Sequence, residues 1–108
     1  VDIQPRVLVI DADAATLTSM ASVAEEEGFD VRTAVDVDGA MRQCRSNYID
    51  LVLIDARGDR RSAADALSSI RIFKPSVRAV VMERPLGPDR LHTLFARLRC
   101  ESYHTLPS

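Results

Sequence analysis

Leu51-Val52-Leu53-Ile54-Asp55 is an apolar run that stops abruptly at a carboxylate, and Val7-Leu8-Val9-Ile10-Asp11 has the same form earlier in the chain. A run of β-branched and leucine residues without polar alternation fits a strand buried on both faces. Side by side in a parallel sheet, two such strands bring Asp11 and Asp55 together at their C-terminal ends. Open α/β sheets place their ligands at that edge. The functional question is therefore what two or three clustered carboxylates do there.

The flanking sequence supports this reading. Ala14 to Glu27 carries Leu17, Met20, Ala21 and Ala24 at helical spacing, with Asp13 in the N-cap position and Gly28 just past the end. Glu25, Glu26 and Glu27 crowd the last turn, where they oppose the helix dipole. Phe29 to Ala34 alternates like a half-exposed edge strand. Asp38 to Arg45 reads as a short helix capped by Asp36 or Asp38. After the strand Asp50 to Asp55, Ser62 caps a helix to about Phe73, with Ala63, Ala66, Leu67 and Ile70 inward. Lys74-Pro75-Ser76 breaks that helix, and Arg78 to Met82 forms a fourth strand. Pro88 suits the first turn of a further helix, whose Leu91, Leu94, Phe95 and Leu98 share a face. Ser102 to Leu106 reads as a fifth strand ended by Pro107. Strict strand–helix alternation predicts an α/β fold with a doubly wound parallel sheet and right-handed crossovers.

The composition narrows the function classes. A chain of 108 residues makes one domain, 1–108, with its core in 6–107. At 46% hydrophobic and 28% charged it is ordinary for a globular protein. A net charge of −2 without a basic patch argues against direct nucleic-acid binding, and Arg57-Gly58-Asp59-Arg60-Arg61 reads as a short solvated loop. Cys44 and Cys100 fit no metal spacing and are expected to pack as reduced, small apolar residues. No apolar stretch approaches the ~20 residues that span a bilayer, and no signal peptide is visible. The expected location is the cytoplasm. The start at Val1 suggests a fragment of a longer regulator.

With these residues placed, the chain resembles the receiver domains of bacterial response regulators, the flavodoxin-like module of two-component signalling. Tyr48-Ile49-Asp50-Leu51-Val52-Leu53-Ile54-Asp55 carries the resemblance, together with the first strand and Asp11. It implies a five-stranded sheet in the order 2-1-3-4-5. It also implies a phosphoryl acceptor at Asp55 and Mg²⁺ held by Asp11, Asp55 and, less directly, Asp13. A hard divalent ion suits oxygen ligands and offsets the charge crowded at phosphoryl transfer. The family follows the fourth strand with Thr or Ser and the fifth with Lys-Pro.

This sequence departs from that pattern. Ala12 stands where a second acid is expected, and Ala56-Arg57-Gly58-Asp59 replaces the loop after the acceptor. Glu83 takes the hydroxyl position, and Leu106, before Pro107, takes the lysine position. A second register reads Glu83-Arg84-Pro85-Leu86-Gly87-Pro88 as the Lys-Pro motif and the start of the last helix, with Arg84 for lysine and one helix and one strand deleted. The five-strand register is preferred because the spacing from Glu83 to Pro107 fits a helix and a strand. It leaves the family's last helix missing and an apolar strip bare, of the size that marks interfaces.

Each candidate has a plainer reading. Asp55 and Asp11 are also what a strand-end aspartate looks like when it caps a turn or pairs with an arginine. Asp13 suits a helix cap better than a metal ligand. Glu83 suits solvent, or an ion pair with Arg57 or Arg84. His92 and His104 read as surface residues. The expectation is a non-enzymatic, degenerate receiver, weakly phosphorylated or not at all, acting through protein–protein contacts. Its partners would be a histidine kinase or phosphotransfer protein, and an output domain or second copy at the last helix and strand. A working receiver with Mg²⁺ is the alternative. A small α/β phosphotransferase is disfavoured, because the chain has no P-loop and no nucleophile–His arrangement.

Overall fold

The structure, a computed structural model, describes the backbone of residues 4–104 and the side chains of residues 4–101. The elements run β1 (Arg6–Ile10), α1 (Ala14–Glu26), β2 (Asp30–Ala34), α2 (Val37–Ser46), β3 (Leu51–Asp55), α3 (Arg60–Phe73), β4 (Arg78–Met82) and α4 (Pro88–His104). The strands form one parallel sheet in the order β2-β1-β3-β4. β1 and β3 are the central pair, with Val7 beside Leu51 and Ile10 beside Ile54. Their unbroken apolar sequences follow from that position, since Val7, Leu8, Val9, Leu51, Val52 and Leu53 are wholly buried and every side chain meets a helix layer.

The helices divide between the two faces. Val7, Val9, Leu51 and Leu53 pack with Leu17 and Met20 of α1 and with Leu91, Phe95 and Leu98 of α4. Leu8, Ile10, Val52 and Ile54 pack with Ala40 and Cys44 of α2 and with Ala63 and Ile70 of α3. Phe29, in the turn between α1 and β2, meets Phe95 of α4 edge to face, with ring centroids 5.6 Å apart. His92 of α4 reaches Glu27 at 2.9 Å and Glu26 at 3.3 Å. It thus answers the acidic last turn of α1.

Four strands, not five, lie among the described residues, and the handedness of the connections explains why. Right-handed crossovers that move from β2 toward β4 carry their helices on the α2 and α3 face. A fifth strand outside β4 would need its helix on that same face. α4 instead lies beside α1. Ser102, Tyr103 and His104 continue that helix, and Thr105 to Leu106 fall outside the described residues. The last helix is therefore not missing. α4 covers the face that was expected to be bare, and the element order matches the register with one helix–strand unit deleted. Apolar residues stay uncovered at the end of α3 and on β4. There Ile72 is 84% exposed and Val81 41%.

Two smaller expectations also change. The cap of α3 is Asp59, not Ser62, and Asp59 Oδ1 accepts the Ser62 N–H at 3.0 Å. Cys44 is buried but Cys100 is exposed, so only Cys44 packs as a small apolar residue. Asp36 caps α2, accepting the Gly39 N–H at 2.7 Å. Asp36→Ala is expected to cost about 1 kcal/mol of stability, read as a lower urea midpoint with unchanged m-value.

Candidate functional site

The register of β1 against β3 sets Asp11 and Asp55 at one level of the C-terminal edge. Asp11 follows Ile10 directly and is held by its N–H to the Ala34 carbonyl at 3.1 Å. Asp55 ends β3, and the next N–H, from Ala56, donates to the Met82 carbonyl of β4 at 2.8 Å. Both carboxylates are 7% exposed at the side chain. They lie at the base of a cleft of about 710 Å³ lined also by Ala12, Asp13, Val35 and Arg57. The N-termini of α1, α2 and α3 open toward this cleft, and their caps Asp13, Asp36 and Asp59 line it.

Arg57 occupies Asp55. Its Nε lies 2.9 Å from Oδ1 and 3.0 Å from Oδ2, and its Nη2 lies 2.6 Å from Oδ2. The backbone N–H of Arg57 adds a fourth contact to Oδ1 at 2.9 Å. This is a forked, charge-assisted pair that engages both acceptor oxygens. The same Nη2 lies 4.0 Å from Asp11 Oδ2, too far for a hydrogen bond. Asp11 Oδ1 accepts the Asp13 N–H at 2.8 Å, while Oδ2 is buried and meets no N–H donor among the described residues.

The two carboxyl groups are pushed in opposite directions. Burial raises Asp11 to about 6, and the facing Asp55 carboxylate adds to the shift by accepting a side-chain hydrogen bond from the protonated Asp11 and by its charge. Burial also works to raise Asp55, but its hydrogen bonds from Arg57 outweigh this and leave it lowered to about 2. The folded state thus holds a proton on Asp11 between pH 4 and 6 that the unfolded chain releases. Stability from Asp11 is present at low pH and is lost as pH rises through about 6. Stability from Asp55 is lost only as pH falls toward 2. Between pH 4.5 and 7.5, Tm of the wild type should fall relative to that of Asp11→Asn by ~4 °C or more, the shift that ~1 kcal/mol produces in a small domain. Parallel Tm profiles for the two proteins would refute the assignment.

The donor set does not fit Mg²⁺. That ion demands octahedral oxygen coordination. Ala12 offers no side-chain ligand, and Arg57 holds both oxygens of Asp55. Asp13 turns its Oδ2 to the N–H and hydroxyl of Thr16 as the cap of α1. Among the described residues no group of three or more His, Cys, Asp or Glu could hold a metal.

The remaining candidates separate. Ala12 and Arg57 line the cleft. Glu83 is exposed and is not part of the lining. Arg84 is exposed too, and Leu106 lies outside the described residues. Sequence reasoning placed Arg57 near the pocket but offered it to Glu83. The signal for its true partner was an arginine two residues after a strand-end aspartate, close enough to fold back on it.

No protein-family model matches the chain. The alginate biosynthesis transcriptional regulatory protein AlgB of Pseudomonas putida is 31% identical over 81 residues, 75% of this chain and 18% of that protein. The transcriptional regulatory protein PrrA of Mycobacterium bovis is 31% identical over 85 residues, 79% of this chain and 36% of that protein. The chain thus spans about a fifth to a third of the curated relatives it matches. A response regulator receiver domain protein (CheY-like) from Methanospirillum hungatei superposes with a TM-score of 0.80 at 17% identity, over 96% of this chain and 100% of that one.

Proposed function

We propose, starting from a chain that has the receiver-domain fold and response regulators as its sequence relatives, that this is a signalling receiver whose acceptor site is held shut by its own arginine. The forked pair of Arg57 on Asp55 carries this reading. A phosphoryl donor must meet a free carboxylate oxygen, and a divalent ion must find ligands beside it. Here a guanidinium occupies the first, and the cap at Asp13 and the methyl of Ala12 deny the second. The domain then works by contact rather than by chemistry and is not an enzyme. The location fits the cytoplasm, where a histidine kinase or phosphotransfer protein would meet it. An output domain is the natural neighbour in a longer regulator, since the relatives are transcriptional regulatory proteins several times its length. No helix among the described residues is long and apolar enough to cross a membrane.

Intact-mass spectrometry after incubation with acetyl phosphate and Mg²⁺ tests the proposal, with Asp55→Ala as control. No adduct on the folded wild type is expected. A single phosphoryl adduct that disappears in Asp55→Ala would establish a working receiver instead.

A further inference from the structure

The cleft over Asp11 and Asp55 already holds a guanidinium, but an ill-fitting one. Arg57 is only two residues from Asp55, and from that tether it satisfies Asp55 completely. It stops 4.0 Å short of Asp11 Oδ2. Asp11 is 6% exposed, and among the described residues no N–H comes within hydrogen-bond distance of this oxygen. Above about pH 6, where Asp11 is ionised, a buried oxygen that no N–H reaches is costly. One N–H donor would satisfy it, whereas one oxygen is too few for Mg²⁺.

The surroundings suit the same kind of ligand. Five aspartates line the cleft against one cation. Three helix N-termini, each worth about half a positive charge, do not reverse that sign. Val35, half exposed at the rim, and Val37 supply an apolar wall for an alkyl stem. The volume, about 710 Å³, lies within the ordinary range of ligand clefts.

We propose that this cleft binds a guanidinium or ammonium group on an alkyl stem, which displaces Arg57 and bridges Asp11 and Asp55. Arg57 is then a built-in competitor, and the incoming cation is an arginine or lysine side chain of a partner, or a small amine of the same chemistry. The inference rests on the proposed function in one respect, that Mg²⁺ does not take these carboxylates.

The test is titration of the 108-residue chain with agmatine and with a blocked Ala-Arg-Ala tripeptide, following backbone amide shifts at Ala12, Asp13 and Val37. Arg57→Ala should bind at least one of these probes at least tenfold more tightly than wild type. Adding Asp11→Asn to Arg57→Ala should remove that gain. Tighter binding of the tripeptide identifies a polypeptide source, and tighter binding of agmatine a small amine. Absence of saturable shifts with both probes in Arg57→Ala would overturn the proposal, as would binding indifferent to Asp11→Asn. A separate Mg²⁺ titration of the wild type distinguishes the two failures. Saturation of the same amides by millimolar Mg²⁺ would sink the proposed function, whatever agmatine does.

Discussion

Ala12→Asp combined with Arg57→Ala should convert the chain into one that takes a phosphoryl group from acetyl phosphate, with Mg²⁺ required. The first change supplies the absent acid beside Asp11, and the second frees both oxygens of Asp55. The pair being removed is forked and charge-assisted but open to water on the arginine side, where the Arg57 side chain is 29% exposed, so the pair is worth about 1 kcal/mol and not the sum of its hydrogen bonds. Its loss alone corresponds to a gain of roughly fivefold in the population of open acceptor, and the added ligand at position 12 supplies the rest. The adduct should therefore rise at least tenfold over wild type, vanish with added Asp55→Ala, and vanish without Mg²⁺. Arg57→Ala alone should give a smaller gain, because Ala12 still offers no ligand. If the double variant remains unmodified while folded, the latch is not what silences the site.

Phe95→Ala should produce the largest loss of stability. Phe95 is wholly buried in α4 and meets the ring of Phe29 at 5.6 Å. Removing a buried Phe side chain costs about 3–5 kcal/mol, from lost transfer energy and the cavity left behind. Small domains hold only about 5–15 kcal/mol in total. A large drop in the urea midpoint is the expected result. A loss under about 1 kcal/mol would mean that α4 does not pack on the sheet. The same measurement tests the topology, because a helix that led to a strand outside β4 would have to lie on the opposite face.

Much of this was legible in the chain. The apolar runs of β1 and β3 announced strands buried on both faces, and their terminal acids announced the site, because both signals are local. A period of two or of 3.6 residues is written into neighbouring side chains. The helix cap at Asp13 was legible for the same reason, and that of α2 was narrowed to Asp36 or Asp38, of which the structure uses Asp36. The end of the chain was not. Ser102 to Leu106 has a strand-like composition, yet Ser102 to His104 extend α4. Their state follows from which face α4 covers, which no local pattern records. Ser62 likewise looked like a cap, but Asp59 lies where the loop delivers the chain to α3.

The sequence by itself determined that Asp11 and Asp55 would share an edge, because strand burial and parallel pairing follow from residue type and period. Only the tertiary structure decided what the edge does. The approach of Arg57 to Asp55, the orphaned oxygen of Asp11 and the diversion of Asp13 to Thr16 are distances between side chains. A carboxylate's chemistry depends on which charge lies within a few ångströms of it. That is set by how the loops fold back over the sheet.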